Sequence, residues 1–195
     1  MKKEQGLPAF GGARGDQGFT LIELLVTVVI LSILLGLAIP GFSRWLPNYR
    51  LRGAARDLYA NLQLAKSGAI KERAEWAVRF VSGTNSYEVW SSGNNRAWDG
   101  YTAPDDTLVK TVILPDYGSG LKFGAGSATS AVPETGGGTI TAVPATPIVL
   151  NSRGLTTNNT AVFAYMTNDK NTPYAVGTLA SGVVILRKWN GTAWQ

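Results

Sequence analysis

The chain of 195 residues contains neither cysteine nor histidine. Without cysteine there is no disulfide and no thiolate metal site. Without histidine there is no Ser-His-Asp or Cys-His catalysis and no imidazole-ligated zinc. Serine–lysine chemistry or a carboxylate pair stays open in principle, but neither stands at a recognisable spacing, so no catalytic residue is assigned. An enzyme is not expected, and neither is a cofactor. Asp105-Asp106, with Asp99 and Asn94-Asn95 nearby, could supply oxygen ligands to calcium, but the spacing is not that of an EF-hand loop. They read as solvated loop carboxylates, and no metal is expected. Gly118-Ser119-Gly120 and Gly124-Ala125-Gly126 lack the spacing and following helix of a nucleotide fingerprint, and read as turns. Charge is sparse, at 16% of residues, with a formal net of +5. So mild an excess is compatible with weak attraction to nucleic acid or anionic lipid and demonstrates neither.

What is present in abundance is one long apolar run. Phe19–Ile39 covers 21 residues with a single charge, Glu23. As a helix it would extend roughly 30 Å, the hydrocarbon thickness of a bilayer. Leu, Ile and Val fill every face, unlike the one-sided stripe of a soluble surface helix. A single span in lipid must satisfy its own backbone, which requires a helix. A secretory signal peptide would have a shorter apolar core of roughly 7–15 residues and a small-residue cleavage site after it, which Ala38-Ile39-Pro40 matches poorly. An ordinary membrane anchor or a buried soluble helix accounts for the hydropathy but not for Glu23 or for the Gly18-Phe19 junction. A carboxylate in a span costs about 2.5–3.5 kcal/mol at the helix centre, so it usually has a partner or a function.

The stretch Gly18-Phe19-Thr20-Leu21-Ile22-Glu23, with the apolar run that follows, resembles the class III signal of type IV pilins and type II secretion pseudopilins. The resemblance implies cleavage after Gly18 by a prepilin peptidase, N-methylation of the new terminus at Phe19, and assembly into a filament. It further implies that Glu23 pairs with the α-amine of a neighbouring subunit as it enters that filament. Residues 1–18 then read as a prepilin leader, with Lys2, Lys3 and Arg14 against Glu4 and Asp16; its removal leaves a formal charge of +4. The far flank is also basic, with Arg44, Arg50, Arg52 and Arg56 against Asp57, so counting Lys and Arg does not orient the span. A cytoplasmic N-terminus follows from the resemblance alone.

Pro40 and Pro47 should bend or loosen the helix without ending it. Helical periodicity returns in Leu51, Ala54, Ala55, Leu58, Leu62, Ala65 and Ala69, which fall within an arc of about 100°. From Ala74 onward the pattern is that of strands: 76–81 and 87–90 as a hairpin, then 111–114, 121–123, 147–150, 161–165, 175–179 and 182–189. The Gly/Ala/Ser/Thr/Pro-rich stretch 124–144 reads as a flexible or exposed insertion. The expected fold class is α+β: a long N-terminal helix, membrane-spanning in its first half, packed on an antiparallel β-sheet head. The expected boundaries are a leader over 1–18, a transmembrane helix over 19–39, its continuation over 40–73 and a head domain over 74–195.

Four shorter motifs narrow the family. They are Ala-Ile-Lys-Glu-Arg-Ala at the helix end, a Val-Arg-Phe strand, Leu150–Gly154 (Leu-Asn-Ser-Arg-Gly), and a last strand running into Arg-Lys-Trp. Together they resemble the GspH/FimT group of minor pseudopilins and minor type IV pilins. That implies a structural subunit of a type II secretion pseudopilus or a type IV pilus, at initiation or tip. The implied partners are other pilin or pseudopilin subunits, the prepilin peptidase, the inner-membrane assembly platform and membrane lipid. The implied location is the bacterial inner membrane, single-pass with a periplasmic head, and then the filament. The alternative is a FimT-like minor pilin that binds DNA for uptake. For that, Arg187, Lys188 and Trp189, with Trp194 nearby, combine cations with stacking surfaces; the sequence does not place Arg153 relative to them. Trp45 stands where an interfacial aromatic belongs.

Overall fold

A computed structural model describes residues 18–136 and 139–195. The leader expected over 1–18 lies outside the described residues apart from Gly18. The chain divides into two compact units, Met1–Phe42 and Ser43–Gln195.

One helix, α1 (Leu21–Glu72), begins in the first unit and remains helical at both Pro40 and Pro47, each of which removes one backbone donor. Its start is capped locally. Thr20 Oγ1 accepts a hydrogen bond from the Glu23 backbone N–H at 3.2 Å, and Thr20-Leu21-Ile22-Glu23 has the spacing of a capping box. Within Leu21–Ala38 the mean hydropathy is 2.7 and every residue is exposed, so the helix is long and apolar enough to cross a membrane. Its hydroxyls fold back on its own backbone: Thr27 donates to the Leu24 carbonyl at 2.8 Å and Ser32 to the Val28 carbonyl at 2.7 Å. That leaves those hydroxyls satisfied without water.

The second unit packs the later part of α1 on two antiparallel sheets. The first sheet has the order β3-β2-β1-β5, from β1 (Trp76–Val81), β2 (Ser86–Ser91), β3 (Thr107–Ile113) and β5 (Ile148–Leu150). The second has the order β4-β6-β7-β8, from β4 (Lys122–Phe123), β6 (Val162–Thr167), β7 (Tyr174–Thr178) and β8 (Val184–Lys188). The seven residues of the helical stripe are all buried. They form one core with Trp76, Val78, Tyr87 and Val89 of the first sheet and with Ala164, Met166, Tyr174 and Val176 of the second. The small residues of the stripe bring sheet and helix close. Gly68 allows the closest approach: a Cβ there would stand 2.5 Å from the Trp76 ring. The fold is therefore α+β, a long N-terminal helix on antiparallel sheets.

Strand alternation buries the second sheet on its other face as well. Phe163, Tyr165, Ala175 and Trp189 point away from the helix and meet Val132 and Trp194 in a second core. Within 124–144, read as a flexible or exposed insertion, Val132 joins this core. Val132 is fully buried, and its N–H donates to the Tyr165 hydroxyl at 3.0 Å. Trp194 Nε1 donates to the Ser130 carbonyl at 2.7 Å. The segment covers apolar surface that an exposed loop would leave wet. The motif Leu150–Gly154 is a tight turn. Asn151 Oδ1 accepts from the N–H groups of Arg153 and Leu155, and Gly154 takes φ 73° against Lys66 and Ile70 of α1.

Candidate functional site

In the first unit, Gly18, Phe19, Thr20 and Glu23 line one hollow at the start of α1. Phe19 is 79% exposed there. The helix brings the three sequence-predicted residues together, because Glu23 stands in its first turn. Negative charge at that position is favoured by the helix dipole. The capping role of Thr20 was legible as Ser/Thr three residues before Glu/Gln, a signal that the apolar run overshadowed.

The structure does not bring Arg187, Lys188 and Trp189 onto one face. Arg187 donates from Nε to Glu134 Oε1 at 3.0 Å and forms an ion pair with the same carboxylate through Nη2. Burial pushes the Glu134 carboxyl up, but the hydrogen bond from Arg187, a backbone hydrogen bond and the charge of Arg187 together outweigh it, and the net direction is downward. Trp189 is 4% exposed, with its ring 5.3 Å from that of Trp194. Lys188 is exposed, on the opposite face of β8. Arg187 is thus engaged with protein and Trp189 presents no free face for a base. Arg153 is exposed in the turn after β5.

The acidic loop is also internally engaged. Asp106 Oδ2 accepts from the N–H groups of Asp99 and Gly100 at 3.2 and 3.1 Å, and Asn95 Nδ2 donates to Asp99. Among the described residues no group of three or more Asp or Glu side chains is placed to hold a metal ion. The remaining tryptophans pack: Trp76 is buried in the main core, and Trp90 and Trp98 lie 5.8 Å apart. Trp45 is exposed and stacks on Tyr49 at 4.8 Å.

The most connected polar cluster was not legible in the sequence. Tyr87 donates to Asp57 Oδ2 at 2.8 Å, Asn61 Nδ2 donates to both Asp57 Oδ2 and the Tyr87 oxygen, and Lys110 donates to Asn61 Oδ1 at 3.2 Å. These contacts stitch α1 to β2 and β3. Burial first, then the hydrogen bond to Asp57 and its charge, push the Tyr87 hydroxyl well above the ordinary tyrosine value, and Tyr117 shifts the same way for the same reasons. An unfolded tyrosine ionises at about pH 10. The stabilisation from these raised groups is complete below that pH and is lost as pH rises further, because the unfolded chain releases protons that the native one keeps. Tyr87→Phe is expected to cost about 1–2 kcal/mol at neutral pH and to make the alkaline loss of stability shallower. Thermal melts of the full chain in detergent between pH 8 and 11 check both, and an unchanged alkaline slope would contradict the assignment.

The fold and the N-terminal arrangement define a pilin-like protein whose apolar helix is suited to membrane anchoring and filament assembly. Residues 13–39 match the prokaryotic N-terminal methylation motif, and residues 54–182 match the type II transport protein GspH. The chain belongs to the GspH family. Among solved structures it is similar to the minor pseudopilin EpsH from the type 2 secretion system of Vibrio cholerae. The identity is 15%, over 70% of this chain and 95% of that one, with a TM-score of 0.42. It is likewise similar to the type IV minor pilin FimU of Pseudomonas aeruginosa, at 15% identity over 71% of this chain and 89% of that one, with a TM-score of 0.44. No curated protein sequence matches the chain.

Proposed function

We propose that the chain is a minor subunit of a type II secretion pseudopilus or a type IV pilus, acting at filament initiation or tip. A prepilin peptidase cleaves after Gly18, and the new terminus at Phe19 is N-methylated. The mature protein crosses the inner membrane once through 19–39, continues as helix over 40–73 and holds the head, 74–195, in the periplasm. The assembly platform then draws it into the filament, where contacts with lipid are exchanged for packing among the helices of other subunits. Glu23 pairs there with the α-amine of a neighbour and sets axial register.

The observation that carries this reading is the exposed apolar helix Leu21–Ala38, which opens on Gly18-Phe19 and holds one carboxylate in its first turn. An anchor alone needs neither the junction nor the acid. The test is a shearing experiment on cells that carry the assembly machinery. The chain is expected in the filament fraction at far below the amount of the major subunit, and only when the peptidase is present. An equal yield in sheared filaments without the peptidase would contradict the reading.

A further inference from the structure

A cleft of about 250 Å³ in the second unit is lined by Tyr49, Arg50, Arg52, Gly53, Arg56 and Tyr117. Three guanidiniums share it, and no carboxylate lines it. Tyr49, Arg52, Gly53 and Arg56 recur at steps of three and four and so occupy one face of α1, roughly opposite the stripe that Leu51, Leu58 and Leu62 bury. All three arginines are exposed, and none is in an ion pair among the described residues. The acids nearest in sequence are spoken for or lie elsewhere: Asp57 holds Tyr87, Asn61 and Lys110, and Asp116 lines the adjoining cleft of Thr111–Ile113.

Two glycines shape the cleft. Gly118 takes φ 148°, and a Cβ there would stand 2.6 Å from Arg50 Cδ and 2.8 Å from its Nη1, so its bareness makes room for the Arg50 side chain. Gly53 forms part of the lining with nothing within 4 Å of where its Cβ would be, which leaves that part of the site open. Planar guanidiniums gathered around an open hollow suit the oxygens of a phosphate.

The geometry points to a site for the phosphate of an anionic phospholipid headgroup. The inference rests on the membrane-inserted reading given above. The source of the phosphate follows from position along the chain. Arg50 follows Ile39, the last residue of the span, by eleven positions of α1, about 16 Å of helical chain. The stacked, exposed pair Trp45–Tyr49 intervenes, the residue types that favour the membrane–water interface. Basic residues that follow a span this closely are attracted to anionic lipid, each by about 1 kcal/mol.

The test uses the full chain in nanodiscs and in detergent, with phosphatidylglycerol and phosphatidylcholine as probes and native mass spectrometry as readout. The wild type is expected to retain phosphatidylglycerol over phosphatidylcholine by about tenfold or more, from the summed attraction of three arginines. The triple variant Arg50→Ala/Arg52→Ala/Arg56→Ala should lose that preference. Gly53→Leu keeps every charge, improves helix propensity and fills the cleft, and should lose it as well. Equal retention of the two lipids by the wild type, or an unchanged preference in the triple variant, overturns the proposal. So does an unchanged preference in Gly53→Leu, which would mean diffuse attraction rather than a built cleft. Selective binding of a short DNA strand instead of lipid assigns the cleft to another anion and overturns it too. Resistance of the protein to carbonate extraction from vesicles reports the span separately, so failure of the lipid site and failure of membrane insertion are read apart.

Discussion

Glu23→Leu is expected to be cleaved and inserted as well as the wild type, yet to enter filaments about tenfold less or worse. The acid costs free energy in a span, about 2.5–3.5 kcal/mol at the centre and less near an end. Leucine removes that cost, so insertion does not suffer. What disappears is the charge that a neighbouring α-amine would meet in a medium of low dielectric, where such a pair is strongest. The structure adds a rival role for the same residue, because Glu23 stands at the third position of a helix capped by Thr20. Glu23→Gln separates the two. Glutamine keeps the capping-box chemistry and loses the charge. If the glutamine variant assembles at the wild-type level, Glu23 is a helix-start residue and the pairing is wrong. If it fails like the leucine variant, the charge itself is required. Quantifying each variant in sheared filaments against the membrane fraction reads the difference.

Leu58→Ala is expected to remove about 2–5 kcal/mol from the stability of the second unit. Leu58 is fully buried in the core that joins α1 to both sheets. Truncation there loses apolar contact and opens a space which the two sheets, held by their own ladders, cannot close. A domain of this size has only about 5–15 kcal/mol to lose. On the exposed face of the same helix, Gln63→Ala should change stability by no more than about 0.5 kcal/mol. Denaturant titration of the full chain in detergent compares them. A loss below about 1 kcal/mol for Leu58→Ala would mean that the stripe does not anchor the head.

The helix and its buried stripe were legible because their signal is periodic and local: each of the seven stripe residues predicted from steps of three and four is buried. The hairpin of β1 and β2 was legible for the same reason. β3 was read too late in the chain. It starts at Thr107 rather than at 111, and the Lys110 ammonium reaches Asn61 and Asp57 on α1. Leu114, read as strand, opens a 3-10 turn instead, because Pro115 follows it. Contacts distant in sequence left no signal. Ser130 meets Trp194, and Glu134 meets Arg187, across more than fifty residues. The low-complexity segment therefore gave no sign that Val132 joins a core. In β8 the period of two sends Arg187 and Trp189 to the face that this segment covers and Lys188 to the other. Three adjacent letters that looked like one patch fall on opposite sides. The Gly18–Glu23 group was the most legible of all, because every residue it needs lies within six positions.

Whether a greasy rod is freed at its phenylalanine end is open to a single mass measurement. The full chain is co-expressed with a prepilin peptidase, purified from membranes, and its N-terminal peptide is sequenced by mass spectrometry. The expected peptide begins at Phe19 and carries one added methyl group on its α-amine. A peptide that still begins with the residues ahead of Gly18, in cells with active peptidase, would contradict the assignment.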